Sequence, residues 1–192
     1  MAMPLERDEV LQILRETGTL MEGHFLLTSG RHSGQFLLFS QALQFPPVAE
    51  RLCRAMAEPF REAAVETVIG PAMGGVILAY EVARHLGARA MFAEKAGDGS
   101  MALRRGFRLR PGERVLVVED AVTTGGSVEK VLAVVREAGG VPVGVSVIAD
   151  RSSGAVDFGV PMHALITLDI PSWLPADCPL CRQGLPLVRP KG

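Results

Sequence analysis

Short apolar runs and longer apolar periods take turns along this chain. Val10, Leu11 and Leu14 fall on one helical face within residues 8–16, which predicts an amphipathic helix broken by Thr17, Gly18 and Thr19. Two strand-like runs, 25–27 and 36–39, flank a Ser/Gly/Arg/His turn and predict a hairpin. Val48, Leu52, Met56 and Phe60 repeat every four residues and predict a helix over 46–64, with Cys53 inside it as a small core residue. Short strands are predicted at 66–69, 90–93, 115–118 and 141–149, and a last apolar run at 163–168. A helix over 76–85 is closed by Gly87. Another follows residue 127, where Val128, Val131, Leu132 and Val135 recur before Gly139 and Gly140 stop it.

The run 115–118 is short, rich in β-branched residues and apolar on both faces, as expected of a central parallel strand. Strands alternating with helices imply an α/β fold with right-handed crossovers and a central parallel sheet flanked by helices. The first 45 and last 30 residues lack this alternation. They are expected to pack together as a small hood over the carboxyl edge of the sheet. The expected organisation is one domain, with a core of about 46–154 and a hood of about 1–45 plus 155–192.

Composition narrows the class. A chain of 192 residues, 48% hydrophobic, has enough material for one real core and is not a disordered chain. A net charge of −1 gives no global field to gather nucleic acid or an anionic membrane. No apolar run reaches the roughly 18 residues of a membrane span. Residues 1–14 are charged and lack the apolar centre of a signal peptide, so a cytoplasmic location is expected. Three cysteines, an odd number, fit a reducing compartment. Cys178 and Cys181 form one C-x-x-C, half of a tetrahedral zinc site, and no second one exists. Cys53 or a histidine from a partner chain could complete it; the plainer reading is a turn of the tail that packs on the domain.

The chemistry concentrates where residues 115–118 run into Glu119 and Asp120. Ala121 and Val122 follow, then Thr123, Thr124, Gly125, Gly126 and Ser127, then the helix. Backbone N–H groups and hydroxyls at a helix N-terminus make a phosphate site. Acids at the carboxyl end of a parallel strand lie where open α/β sheets bind ligands. The pairing suggests a phosphate beside a diol or a metal. No Lys follows Gly125-Gly126, so this is not the common P-loop, and it is not the G-x-G-x-x-G dinucleotide turn. A second glycine-rich loop, Gly70-Pro71-Ala72-Met73-Gly74-Gly75, also joins a strand to a helix. Two such loops on one sheet suggest a ligand with two phosphate groups. Residues 94–110 show no apolar period and carry Lys95, Arg104, Arg105, Arg108 and Arg110 among glycines. That stretch reads either as a cationic lid or as a two-stranded β excursion.

An apolar strand, two acids and T-T-G-G-S resemble the phosphoribosyl pyrophosphate (PRPP) signature of the type I phosphoribosyltransferases. Thr28-Ser29-Gly30-Arg31-His32-Ser33 before Phe36-Leu37 looks like the N-terminal signature of the orotate phosphoribosyltransferases. The Gly70–Gly75 loop is similar to that family's pyrophosphate loop, and Arg151 matches its orotate-binding arginine. The resemblance covers about residues 8–155. It implies transfer of the 5-phosphoribosyl group of PRPP to orotate with Mg2+, in pyrimidine biosynthesis. It places the ribose hydroxyls on Glu119 and Asp120, and the 5-phosphate on residues 121–127. Pyrophosphate would lie on Ala72, Met73, Gly74 and Gly75, with Lys95, Arg104 and Arg105 as lid cations. Orotate would meet Thr123 and Arg151, with backbone groups near Phe36 and Leu37 reading its imide edge. No side chain is assigned as a direct metal ligand. A homodimer that shares the lid across its interface is implied, with no nucleic-acid or membrane partner. The chain departs from the family pattern at Thr28 and Gly74, where a Lys is common. It departs again at Glu94, where an Arg is common, and at Glu119, where Asp is usual. A purine-directed type I transferase and a non-enzymatic PRPP-sensing regulator are the alternative readings.

Overall fold

The computed structural model describes residues 5–190. Residues 1–4, which begin both the expected hood and the charged N-terminal stretch, and residues 191–192 lie outside it. Helix α1 (Arg7–Glu16) buries Val10, Ile13 and Leu14 and ends as expected at Thr17. Strands β1 (Leu20–Leu26) and β2 (His32–Leu37) form the predicted antiparallel hairpin. A short α2 (Ser40–Leu43), not foreseen in the sequence, leads into α3 (Pro46–Ala57). The helix expected over 46–64 therefore stops early and continues as a 3-10 turn, Glu58–Ala63. Pro59 has no N–H to donate to the preceding turn, and its ring clashes with the carbonyl four residues back.

Next come β3 (Thr67–Pro71), α4 (Gly74–Leu86) and β4 (Arg89–Lys95). β5 (Met101–Leu103), β6 (Arg114–Val122), α5 (Gly126–Glu137) and β7 (Val141–Asp150) follow. The chain ends with β8 (Met162–Thr167), β9 (Ser172–Trp173), a 3-10 turn and α6 (Pro179–Arg182). Six strands make one sheet in the order β5-β4-β3-β6-β7-β8, and every neighbouring pair is parallel except β4 with β5. The result is a mostly parallel sheet with helices on both faces. Alternation along β6 shows why: Val115 and Val117 belong to the core under α5, Leu116 and Val118 to the core under α3 and α4, and all four are fully buried.

A second sheet, β1-β2-β9, is built from the two ends of the chain. Arg31 ties them by donating to the Ser172 hydroxyl and carbonyl. The stretch 162–167, expected with the hood, instead pairs with β7 in the large sheet. Residues 94–103 form the β excursion: Ala93 to Lys95 pair with Met101 to Leu103, and buried Met101 anchors the return strand. Among the described residues no helix is long and apolar enough to cross a membrane.

Candidate functional site

β6 runs past its apolar centre, so Glu119 and Asp120 lie within its carboxyl end rather than after it. Glu119 is buried, and its Oε1 accepts the Asp120 backbone N–H at 3.1 Å. Burial, then the neighbouring Asp120 charge, pushes the Glu119 carboxyl up to about 8. A buried acid beside a second acid is poised for hydroxyl groups, which can donate to either protonation state, or for a nearby cation.

The loop after β6 turns at Gly125 with φ +81°, and α5 begins at Gly126. A Cβ at Gly125 would lie 2.8 Å from Val156 Cγ1 and 3.0 Å from Phe158 Cε1, so only glycine lets the loop lie against residues 156–158. No side chain caps α5, which leaves the N–H groups of its first turn facing outward. Residues 121–128 line a cavity of about 160 Å3 there. Its dimensions and exposed donors suit one phosphate group.

The second loop meets the same acids. Gly70 and Gly75 pass so closely that a Cβ on Gly75 would lie 2.9 Å from Gly70 Cα. This contact starts α4 directly beside β3. A Cβ at Gly74 would lie 3.1 Å from Asp120 Oδ2 and 3.9 Å from Glu119 Oε1. The Ala72 N–H donates to the Ala93 carbonyl at 2.8 Å, and the Ala72–Met73 peptide bond is cis. The expected pyrophosphate residues 72–75 and the paired acids are thus brought together.

β7 pairs with β6 out to Val122 and Asp150, and the Arg151 N–H then donates to the Val122 carbonyl at 2.7 Å. Arg151 and Thr123 consequently line one larger cavity of about 520 Å3. The hairpin end 26–30, Phe36 and Thr124 complete the wall, together with Arg189 and Pro190 of the tail. The Arg151 Nε is buried without a hydrogen-bond partner among the described residues. Burial also pulls its pKa below the usual arginine value. A half-buried arginine whose Nε is shielded and open is suited to a planar anion.

Several expectations are redrawn. Leu37 does not line the cavity; alternation along β2 turns it toward the main core, while Phe36 faces the cavity. Lys95, Arg104 and Arg105 lie on the β4–β5 hairpin and the turn after it, not in the lining of either cavity. Arg105 is held by Glu94 at 2.9 Å and lies over the Phe92 ring, 5.9 Å from its centroid. Arg189 was missed because it sits in a Pro-rich tail without periodicity; only its place in space identifies it.

The sequence profile of the phosphoribosyl transferase domain matches residues 41–158. An orotate phosphoribosyltransferase of Pelotomaculum thermopropionicum is 53% identical over 186 residues, 97% of each chain. Another, from Desulforamulus reducens, is 50% identical with the same coverage. The crystal structure of the orotate phosphoribosyltransferase from Aeropyrum pernix superposes with a TM-score of 0.72 at 27% identity, covering 83% of this chain and 93% of that one.

Proposed function

The chain belongs to the orotate phosphoribosyltransferases of the phosphoribosyl transferase family, and from that membership we propose how its residues join orotate to PRPP. The products are orotidine 5′-monophosphate and pyrophosphate. One observation carries the assignment of residues: Thr123 and Thr124 line both the phosphate-sized cavity and the larger one that holds Arg151. A ribose bridging the two would present its 5-phosphate to one cavity and its anomeric carbon to the other.

On this reading the first turn of α5 and residues 121–127 bind the 5-phosphate. Glu119 and Asp120 take the ribose hydroxyls, and residues 72–75 receive the pyrophosphate. Arg151 pairs with the orotate carboxylate, Thr123 bonds the ring or carboxylate, and Phe36 covers the base. The bond from ribose C1 to the pyrophosphate oxygen breaks as the bond from C1 to orotate N1 forms, and the N1 proton leaves. Catalysis is then mostly positioning, together with stabilisation of the leaving anion.

Mg2+ fits this donor set. The Asp120 carboxylate, with Glu119 beside it that a cation would help to ionise, and substrate phosphate oxygens suit a hard cation that keeps several waters. When bound, it would neutralise charge on the leaving pyrophosphate.

A homodimer is supported by an apolar stripe. Met73, just before α4, and Ile77 and Tyr80 within it stand one turn apart and are 85%, 47% and 67% exposed. In such a dimer Lys95 and Arg104 would reach the partner's pyrophosphate, and the Glu94–Arg105 pair would stiffen the hairpin. The hood and the core would act as one catalytic unit, in a cytoplasmic setting that keeps the thiols reduced.

The test follows orotate consumption by ultraviolet absorbance, with PRPP and Mg2+, for wild type and Arg151→Ala. Turnover of orotate, but not of adenine, hypoxanthine or uracil, is expected and should collapse in the variant. Turnover of a purine, or of no base at all, would overturn the reading.

A further inference from the structure

The hood sheet and the tail that packs on it bring together four ligand-type side chains that the reaction does not use. On β1, Glu22 pairs with Gln35 and Phe25 with Ser33, so Gly23 and His24 together face Gly34. That bulge turns His24 inward. His32 follows on β2, opposite Leu26. Cys178 and Cys181 bracket the start of α6, where the chain turns tightly enough to bring both sulfurs to the same place. His24 and His32 are 3% and 5% exposed, and Cys178 is fully buried.

Their ligand atoms converge. His24 Nε2 lies 3.0 Å from His32 Nδ1, 3.4 Å from Cys178 Sγ and 3.7 Å from Cys181 Sγ. Cys181 Sγ lies 3.3 Å from His32 Nδ1, and all four atoms fall within 4.8 Å of one another. A tetrahedral Zn2+ with bonds of about 2.0–2.1 Å to nitrogen and about 2.3 Å to sulfur spaces its ligand atoms roughly 3.3–3.8 Å apart. Three of these four distances match that frame and the two nitrogens are slightly closer, while the other two pairs stay within the 4.8 Å bound. His24 Nδ1 lies 2.8 Å from the Leu185 carbonyl. That carbonyl can only accept, so the proton sits on Nδ1 and the Nε2 lone pair faces the cluster. Hydrogen bonds alone satisfy this group poorly, because three neighbours compete for one lone pair.

We propose that His24, His32, Cys178 and Cys181 bind one structural Zn2+ that fastens the C-terminal tail to the hood hairpin. Binding releases the two thiol protons to solvent. Two thiolates and two imidazoles closing all four positions select zinc over hard cations, and no position is left for a substrate. The clamp also positions the cavity wall. Just beyond it the Val188 N–H donates to the His24 carbonyl at 2.8 Å, and the Leu26 N–H donates to the Val188 carbonyl at 2.9 Å. Those bonds deliver Arg189 to the cavity that holds Arg151. The histidines could not be paired with the C-x-x-C in sequence, because more than 140 residues separate His32 from Cys178.

The experiment is elemental analysis of the full chain, purified without chelator and again after reduction and incubation with Zn2+. About one zinc per chain is expected, and very little in Cys178→Ser/Cys181→Ser or His32→Ala, with Cys53→Ser as a metal-retaining control. Cobalt substitution of the wild type should give the visible bands of a tetrahedral centre with thiolate charge transfer. This arm stands even if the variants fail to fold. A wild-type chain that takes up neither zinc nor cobalt, or a double cysteine variant that keeps its zinc, would overturn the proposal.

Discussion

Arg151 is held by Val122: its backbone N–H donates to the Val122 carbonyl at 2.7 Å, one residue beyond the last β6–β7 pair. The bond fixes the arginine to the strand that carries the acids, so on the proposed reading one rigid unit would position both base and ribose. Because the Arg151 Nε is buried and open, its partner is expected to be an anionic ligand. A charged hydrogen bond of this kind contributes about 1.5–3 kcal/mol, so Arg151→Ala should lower kcat/KM for orotate by roughly 10- to 100-fold. Arg151→Lys should recover little of it, since an ammonium cannot pair with a carboxylate through two parallel bonds. Unchanged PRPP binding in both variants, measured by calorimetry, would place the loss on the base side.

Glu119 should make stability depend on pH in an unusual direction. Unfolded, it releases its proton near 4.5; folded, it holds the proton to about 8. Between those values the native state binds the extra proton, so this residue's contribution falls as pH rises and is level outside that window. Glu119→Gln keeps the shape and an oxygen for the Asp120 N–H, but removes the titration. Its melting temperature relative to wild type should therefore climb from pH 5 to pH 8.5. A flat difference across that range would show that Glu119 ionises normally.

How much could be read beforehand differs by residue. The phosphate loop was legible because strand, acids, T-T-G-G-S and helix are contiguous, and local chemistry dictates a local cradle. Arg151 was legible through its place after β7. That the Leu37 side chain faces the core and Phe36 the cavity could not be read, because a run of apolar residues does not reveal which alternate position faces the core. Arg189 and the His24–His32 pair were out of reach because their meaning depends on the tail returning to the hairpin. The Phe25–Val188 bridge has no counterpart in any sequence period.

Gly125→Ala should damage the phosphate cradle. A left-handed alanine costs about 1–2 kcal/mol, and the new methyl would also press on Val156 and Phe158. Gly139→Ala is the control: φ is +82° there too, but the nearest atom to its Cβ, Pro111 Cα, is at an ordinary 3.7 Å. Both variants should melt several degrees lower, at about 2–4 °C per kcal/mol for a chain of this size. Only Gly125→Ala should also weaken PRPP binding, by about tenfold or more. Equal PRPP affinity in the two variants would mean that the loop tolerates displacement.

The dimer and its shared lid can be tested together. Ile77→Asp with Tyr80→Glu puts two charges into the exposed stripe of α4 and should shift the protein from dimer to monomer in light scattering. Lys95→Ala and Arg151→Ala should each keep no more than about a tenth of the wild-type activity. If Lys95 serves the partner's site, a co-expressed mixed dimer carries one site with both residues intact and one with neither. Random pairing makes half of the dimers mixed, so activity should recover to about a quarter of wild type. If Lys95 serves its own subunit, every site in the mixture lacks one residue or the other, and no recovery will be seen.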